Sequence, residues 1–216
     1  MAVGSPISDG ALSQHIVARG VSWEDYMEHH AADFSEWSNG AVIKMSPVNE
    51  SHDFITFYLA KLLDAYFSLK PLGQIRRAPF VMRLADLGKS REPDIRIVLK
   101  ANSDRLTPTS VDGPADICIE VVSPESVQRD HGEKFAEYEK GGVGEYWIID
   151  PLRQECRFYR LNADKVYVPR REDADGNYRT PLLPGLTIQV PTLFRKKLPD
   201  YMEIGQSVQQ MLAKSS

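Results

Sequence analysis

Three ionisable residues of this 216-residue chain, Asp94, Glu120 and Lys134, have types and positions suited to joint chemistry. Glu120 interrupts the apolar, β-branched stretch 115–123, which reads as a strand buried on both faces of a sheet. A carboxylate buried there without a partner costs several kcal/mol, so the fold must supply one. Lys134 is the candidate: it lies on the helix predicted over 126–140, where Asp130, Lys134 and Tyr138 recur at i, i+4 and i+8. Asp94, following Pro93, opens the strand IRIVLK and is 26 residues before Glu120, a separation that still permits neighbouring strands. Two such carboxylates suit Mg²⁺ or Mn²⁺, since hard cations take oxygen ligands and magnesium is often held by one or two carboxylates with water and substrate phosphate. A nearby lysine then orients an attacking water or lowers its pKa, which is the equipment of a phosphodiesterase.

Each residue also has a purely structural reading. Asp94 after proline caps a strand, and Glu120 with Lys134 forms a buried ion pair. Glu50 and His52, at the start of a long helix, are auxiliary candidates; the first is an added ligand or a helix-terminus acid, the second a hydrogen-bonding group.

The elements that must position these residues follow from periodicity. Ser22 with Asp25 starts a short helix to about residue 30, and Ser38-Asn39-Gly40 turns a hairpin between strands at 34–37 and 41–45. Phe54, Ile55, Tyr58, Leu59, Leu62, Leu63 and Tyr66 mark an amphipathic helix from about residue 50 to 69. A strand is predicted over 74–84, a turn over 85–92, and a loop over 102–113. Gly141-Gly142 ends the helix after Glu120, and EYWIID (145–150) follows, so 115–151 reads as a βαβ unit with a parallel strand pair. Strands at 155–161 and 165–169, a hairpin through 175–177 into 178–183, and an amphipathic helix over 200–212 complete the chain.

Composition suits one sizeable domain, here 21–190, with a flexible arm over 1–20 and a helical segment over 191–216. Residues 1–60 hold two basic and eight acidic residues, whereas 151–216 hold eleven basic and seven acidic, which makes the carboxy-terminal part the better face for a phosphate backbone. Two cysteines, Cys118 and Cys156, without a C-x-x-C pair argue for a reducing cytoplasm. No apolar run reaches the roughly 20 residues of a membrane span, and neither a GxGxxG fingerprint nor a P-loop is present to indicate a nucleotide cofactor.

Taken together, Pro93-Asp94, Glu120-Val121-Val122-Ser123-Pro124, Asp130, Lys134, Tyr138, Gly142-Val143-Gly144-Glu145-Tyr146-Trp147 and Asp150-Pro151 resemble the Uma-type putative restriction endonuclease family of the PD-(D/E)xK nuclease superfamily. The resemblance runs from about residue 23 to 161 and includes Asn39-Gly40, Met45-Ser46-Pro47 and His52. It implies an α/β restriction-endonuclease-like core, a central mixed sheet flanked by helices, with metal carboxylates at Asp94 and Glu120. It further implies Mg²⁺- or Mn²⁺-dependent DNA hydrolysis; a homodimer is expected from the geometry of two-strand cleavage and from spare apolar surfaces such as that of the final helix. Val122 stands where the lysine of E-x-K is expected, and the resemblance passes that role to Lys134. Ala41 stands where the family commonly has an acid after the hairpin glycine. The alternative is a nuclease-fold module that binds nucleic acid or a partner subunit without catalysis.

Overall fold

The computed structural model describes residues 15–45 and 49–214. The chain runs β1 (Ile16–Ala18), α1 (Trp23–His29), β2 (Ser35–Ser38), β3 (Ala41–Lys44), α2 (Glu50–Leu69), β4 (Gly73–Arg77), β5 (Val81–Leu84), β6 (Lys89–Arg91), β7 (Ile95–Leu99), β8 (Ser110–Asp112) and β9 (Ile117–Val121). It continues through α3 (Lys134–Gly141), β10 (Glu145–Asp150), β11 (Glu155–Leu161), β12 (Tyr167–Arg170), β13 (Asn177–Tyr178), β14 (Ile188–Gln189), α4 (Val190–Leu193) and α5 (Tyr201–Ala213).

The central sheet has the order β12-β11-β10-β9-β7-β4 and is mixed: β9 and β10 are parallel and the other neighbours antiparallel. Alternation along β9 sends its side chains to two different cores. Ile117, Ile119 and Val121 join Ile55, Leu59 and Leu63 of α2 on one face, whereas Cys118 and Val122 join Tyr138 of α3 on the other. Fully burying each such aliphatic side chain stabilises by about 1.5–3 kcal/mol, which holds α2 and α3 to opposite faces. The final helix, α5, closes the α2 side, with Ile204 and Val208 buried in the same core. Its apolar face is therefore spent on the body of the protein.

Local signals explain most boundaries. Ser22 and Asn49 cap α1 and α2 by accepting from the amides of Asp25 and His52, and Asp200 caps α5 within a reciprocal capping box with Glu203. Asn39 and Gly40 both adopt positive φ (47° and 83°), as the two-residue turn between β2 and β3 requires.

Several expectations need correction. The predicted strand over 74–84 is two strands, β4 in the central sheet and β5 in another, because Pro79 has no amide to donate to a continuous ladder. The turn predicted over 85–92 contains β6, and the loop over 102–113 contains β8. With β1, β2, β3 and β5 these form a second six-stranded sheet, β1-β3-β2-β6-β5-β8, which takes in the amino-terminal hairpin. That layer packs with α3 against the central sheet through Met82, Leu84 and Val111. Residues 1–14 of the predicted arm lie outside the described residues, while Ile16–Ala18 pairs with β3. Of the antiparallel extension expected after Pro151, β11 and β12 do extend the central sheet, whereas the hairpin after 175–177 does not, and β13 pairs with β14 in a sheet of two strands. The helix predicted over 126–140 is present over 127–141 but is not α-helical throughout, for Arg129–Glu133 forms a π-turn within it in which the Lys134 amide donates to the Arg129 carbonyl.

Candidate functional site

The candidate site forms where the carboxyl end of β9 meets the start of β7. Their antiparallel pairing sets Ile95 against Ile119, which brings Asp94 to the end of β9, where its Oδ2 accepts from the Val121 amide at 2.7 Å. The same oxygen lies 3.0 Å from His52 Nε2, so the first turn of α2 reaches the edge of the sheet. Burial works against a charge on His52, but the bond to Asp94 and the charges of Asp94, Glu120 and Asp130 raise its pKa overall.

Glu120, on the α3 face of β9, is 3% exposed. Its Oε1 accepts from Tyr138 Oη at 2.8 Å and faces Lys134 Nζ at 2.8 Å. Burial pushes the Glu120 carboxyl up to about 7 against the pull of Lys134, with Asp94 and Asp130 adding to the rise. Lys134 Nζ also lies 3.3 Å from Asp130 and 3.9 Å from Glu36. Burial disfavours its charge, yet these three acids outweigh burial and hold the ammonium protonated well past its ordinary range.

The structure thus brings Asp94, Glu120, Lys134 and His52 together at the carboxyl end of β9, with Asp130 beside Lys134 and Tyr138 bonded to Glu120. Glu50 is not among them. It is exposed in the first turn of α2, and among the described residues no contact joins it to Asp94 or Glu120. Val122 is fully buried in the apolar α3 core, which leaves the space beside Glu120 to Lys134.

Sequence reasoning missed the contribution of the second sheet. Glu36 of β2 is fully buried, 2.5 Å from Arg91 of β6, and Arg91 in turn grips Glu137 of α3 through Nε and Nη2 at 2.7 and 2.9 Å. Burial would raise Glu36, but Arg91 and Lys134 hold it down to about 2. Glu92 is also buried, and neither of its oxygens has a hydrogen-bond partner among the described residues. Burial and the charge of Glu36 push it up to about 8, against Arg96 and Lys134. The only sequence signal for this set was the charged run Arg91-Glu92-Pro93-Asp94 leading into an apolar strand.

Chemically, Asp94 and Glu120 could serve as oxygen donors to a cation, since each has only one carboxylate oxygen engaged in hydrogen bonds among the described residues. No group of three or more metal-binding side chains stands together among the described residues. This donor set fits a magnesium-like ion that keeps most of its water, and does not suit an ion needing an all-protein cage.

The model of the Uma2 family, described as putative restriction endonuclease, matches residues 23–191. The chain belongs to that family. Among solved structures it is similar to a putative nuclease belonging to DUF820 from Anabaena variabilis, with a TM-score of 0.61 and 19% identity over 74% of this chain and 89% of that one. That likeness establishes the nuclease-type fold. No curated protein matches. No helix among the described residues is long and apolar enough to cross a membrane.

Proposed function

We propose that this Uma2 protein is a divalent-metal-dependent endonuclease that hydrolyses DNA phosphodiester bonds, with Asp94, Glu120 and Lys134 as its catalytic residues. The observation that carries the reading is the ammonium of Lys134, 2.8 Å from Glu120 and supplied by α3, at the end of β9 where the Val121 amide holds Asp94.

Asp94 and Glu120 would hold Mg²⁺ or Mn²⁺. When bound, such an ion stabilises charge on the phosphoryl oxygens and acidifies water. His52 fixes the Asp94 carboxylate, as an outer partner of a ligand does. Lys134 stays protonated and so acts as a donor, orienting water and countering negative charge, and not as a base. Hydrolysis forms a bond from water oxygen to phosphorus and breaks the phosphorus–oxygen bond to the leaving strand, which takes up a proton. A homodimer serves cleavage of both strands of a duplex.

The test is supercoiled plasmid incubated with Mg²⁺ or Mn²⁺, beside EDTA and Asp94→Ala controls. Metal-dependent nicking that is lost in the variant is expected. Wild-type cleavage by Glu120→Gln removes the assignment of Glu120. Among the described residues no group of three or more side chains is arranged to hold a metal ion, which favours a second reading, a binding module without catalysis. Such a module keeps its salt-sensitive DNA affinity in Asp94→Ala and cleaves nothing.

A further inference from the structure

On the outer side of α2, next to the candidate site, lies a cleft of about 480 Å³ that the chemistry above leaves unused. Its walls carry Phe54, Phe57 and Lys61 of α2, and Arg195, Lys196 and Lys197 from the connection between α4 and α5. Two features set this surface apart. Phe54 and Phe57 are 55% and 49% exposed, two large rings three residues apart on one helix face. Arg195, Lys196 and Lys197 are consecutive, exposed and joined to no acid in an ion pair among the described residues. Lys61 adds a fourth cation, its Nζ 3.8 Å from the centre of the Phe57 ring.

Position links the cleft to the site. Glu50 and Ser51 line one end, and the next residue, His52, touches Asp94. Pro151 also lines it, directly after β10, whose Ile149 pairs with Val121 beside Glu120. A strand leaving the site past the amino end of α2 therefore runs along Phe54 and Phe57 toward the three cations.

We propose that this cleft binds single-stranded DNA, with bases stacked on Phe54 and Phe57 and phosphates on Arg195, Lys196 and Lys197. Aromatic faces flanked by unpaired cations complement a nucleic-acid strand, and only unpaired bases offer a free face to a ring, because a duplex stacks its own. The cleft has the volume of a small-ligand pocket, on the order of 300–1,000 Å³, which admits a base and not a helix. The choice of DNA rests on the nuclease reading; the preference for an unpaired strand rests on the cleft alone.

The test is fluorescence anisotropy of a labelled thymidine oligonucleotide in EDTA, with a hairpin duplex of equal length as competitor. Wild-type protein is expected to prefer the single strand, and Phe54→Ala to lose about 5- to 150-fold in affinity, the worth of one base stack. Phe54→Tyr retains the affinity. Each of Arg195→Ala, Lys196→Ala and Lys197→Ala lowers the slope of log affinity against log salt by about 0.7. Preference for the duplex, or affinity indifferent to Phe54 and the three cations, overturns the proposal. So does a mass in light scattering that falls in Phe54→Ala while oligonucleotide affinity holds, since the cleft then seats a second copy. Phe54-dependent binding with no metal-dependent plasmid cleavage upholds the cleft and removes the nuclease reading. Cleavage by a protein whose oligonucleotide affinity ignores Phe54 does the reverse.

Discussion

Lys134→Met removes the cation that Glu120, Asp130 and Glu36 share at 2.8, 3.3 and 3.9 Å. Lys134 and Glu120 are both about 3% exposed at the side chain, so the change leaves buried acids that bulk solvent barely screens. Breaking a buried pair in this way costs about 3–5 kcal/mol, a large share of the roughly 5–15 kcal/mol that holds an ordinary domain together. The loss depends on pH with a definite sign. In the wild type, Glu36 is held down at about 2, so its contribution is present above the ordinary value of 4.5 and is lost as pH falls toward 2. Glu120 is raised to about 7, so its contribution is present below 4.5 and is lost as pH rises through 7. Without Lys134 the carboxyls bind protons more tightly, and each tenfold gain in proton affinity costs the variant about 1.4 kcal/mol at pH values where the group would otherwise ionise. The variant is therefore closest to wild type in mild acid and furthest from it in mild base. Urea unfolding of both proteins at pH 5 and pH 8 measures the difference. A loss below about 1 kcal/mol, or one equal at the two pH values, refutes the shared-cation account.

His52→Ala frees one side of the Asp94 carboxylate and is expected to weaken Mn²⁺ binding about 10- to 100-fold with the fold intact; an unchanged calorimetric titration removes His52 as an orienting group. Tyr138→Phe deletes the 2.8 Å bond to the buried Glu120 carboxyl, and is expected to cost about 1.5–3 kcal/mol in chemical denaturation. Glu145→Gln provides the contrast. Glu145 is fully buried but satisfied, accepting from Trp147 Nε1, Tyr178 Oη, Thr180 Oγ1 and Arg160 Nε. The variant is expected to lose about 3–5 kcal/mol of stability while the cleavage rate per folded molecule stays the same, and a specific fall in that rate means that Glu145 serves the reaction.

The half of the site that was legible in the sequence comes from long, uniform signals. β7, β9 and β10 are apolar runs bounded by Pro93, Ser123-Pro124 and Pro151, and a carboxylate inside one of them is conspicuous because burying it is costly. The lysine that compensates it was findable by helical spacing. The other half was hidden because Ser35–Ser38, Lys89–Arg91 and Ser110–Asp112 are short and rich in polar residues, with neither an apolar run nor a clear alternation. Their residues are buried all the same: Ser35, Glu36, Ser90 and Arg91 are at most 2% exposed, because Arg91 pairs with Glu36 and with Glu137 of α3, while Ser35 donates to the His30 carbonyl and Ser90 accepts from the Trp37 amide. Periodicity records burial against apolar neighbours and does not register burial against charged ones.

The π-turn before α3 gives that pairing its geometry. In a regular helix successive residues are about 100° apart, so residues eight apart diverge by about 80°, and Asp130 and Tyr138 would not face a common point. The wider turn over Arg129–Glu133 absorbs part of that drift. Asp130 then meets Lys134 at 3.3 Å, while Lys134 and Tyr138 both reach Glu120 at 2.8 Å. A lysine at position 122 would have come to Glu120 from the same face of the same strand, with no demand on the helix. With Val122 committed to the apolar core, the cation must cross from another element, and the departure from regular helix falls directly before the residue that makes the crossing.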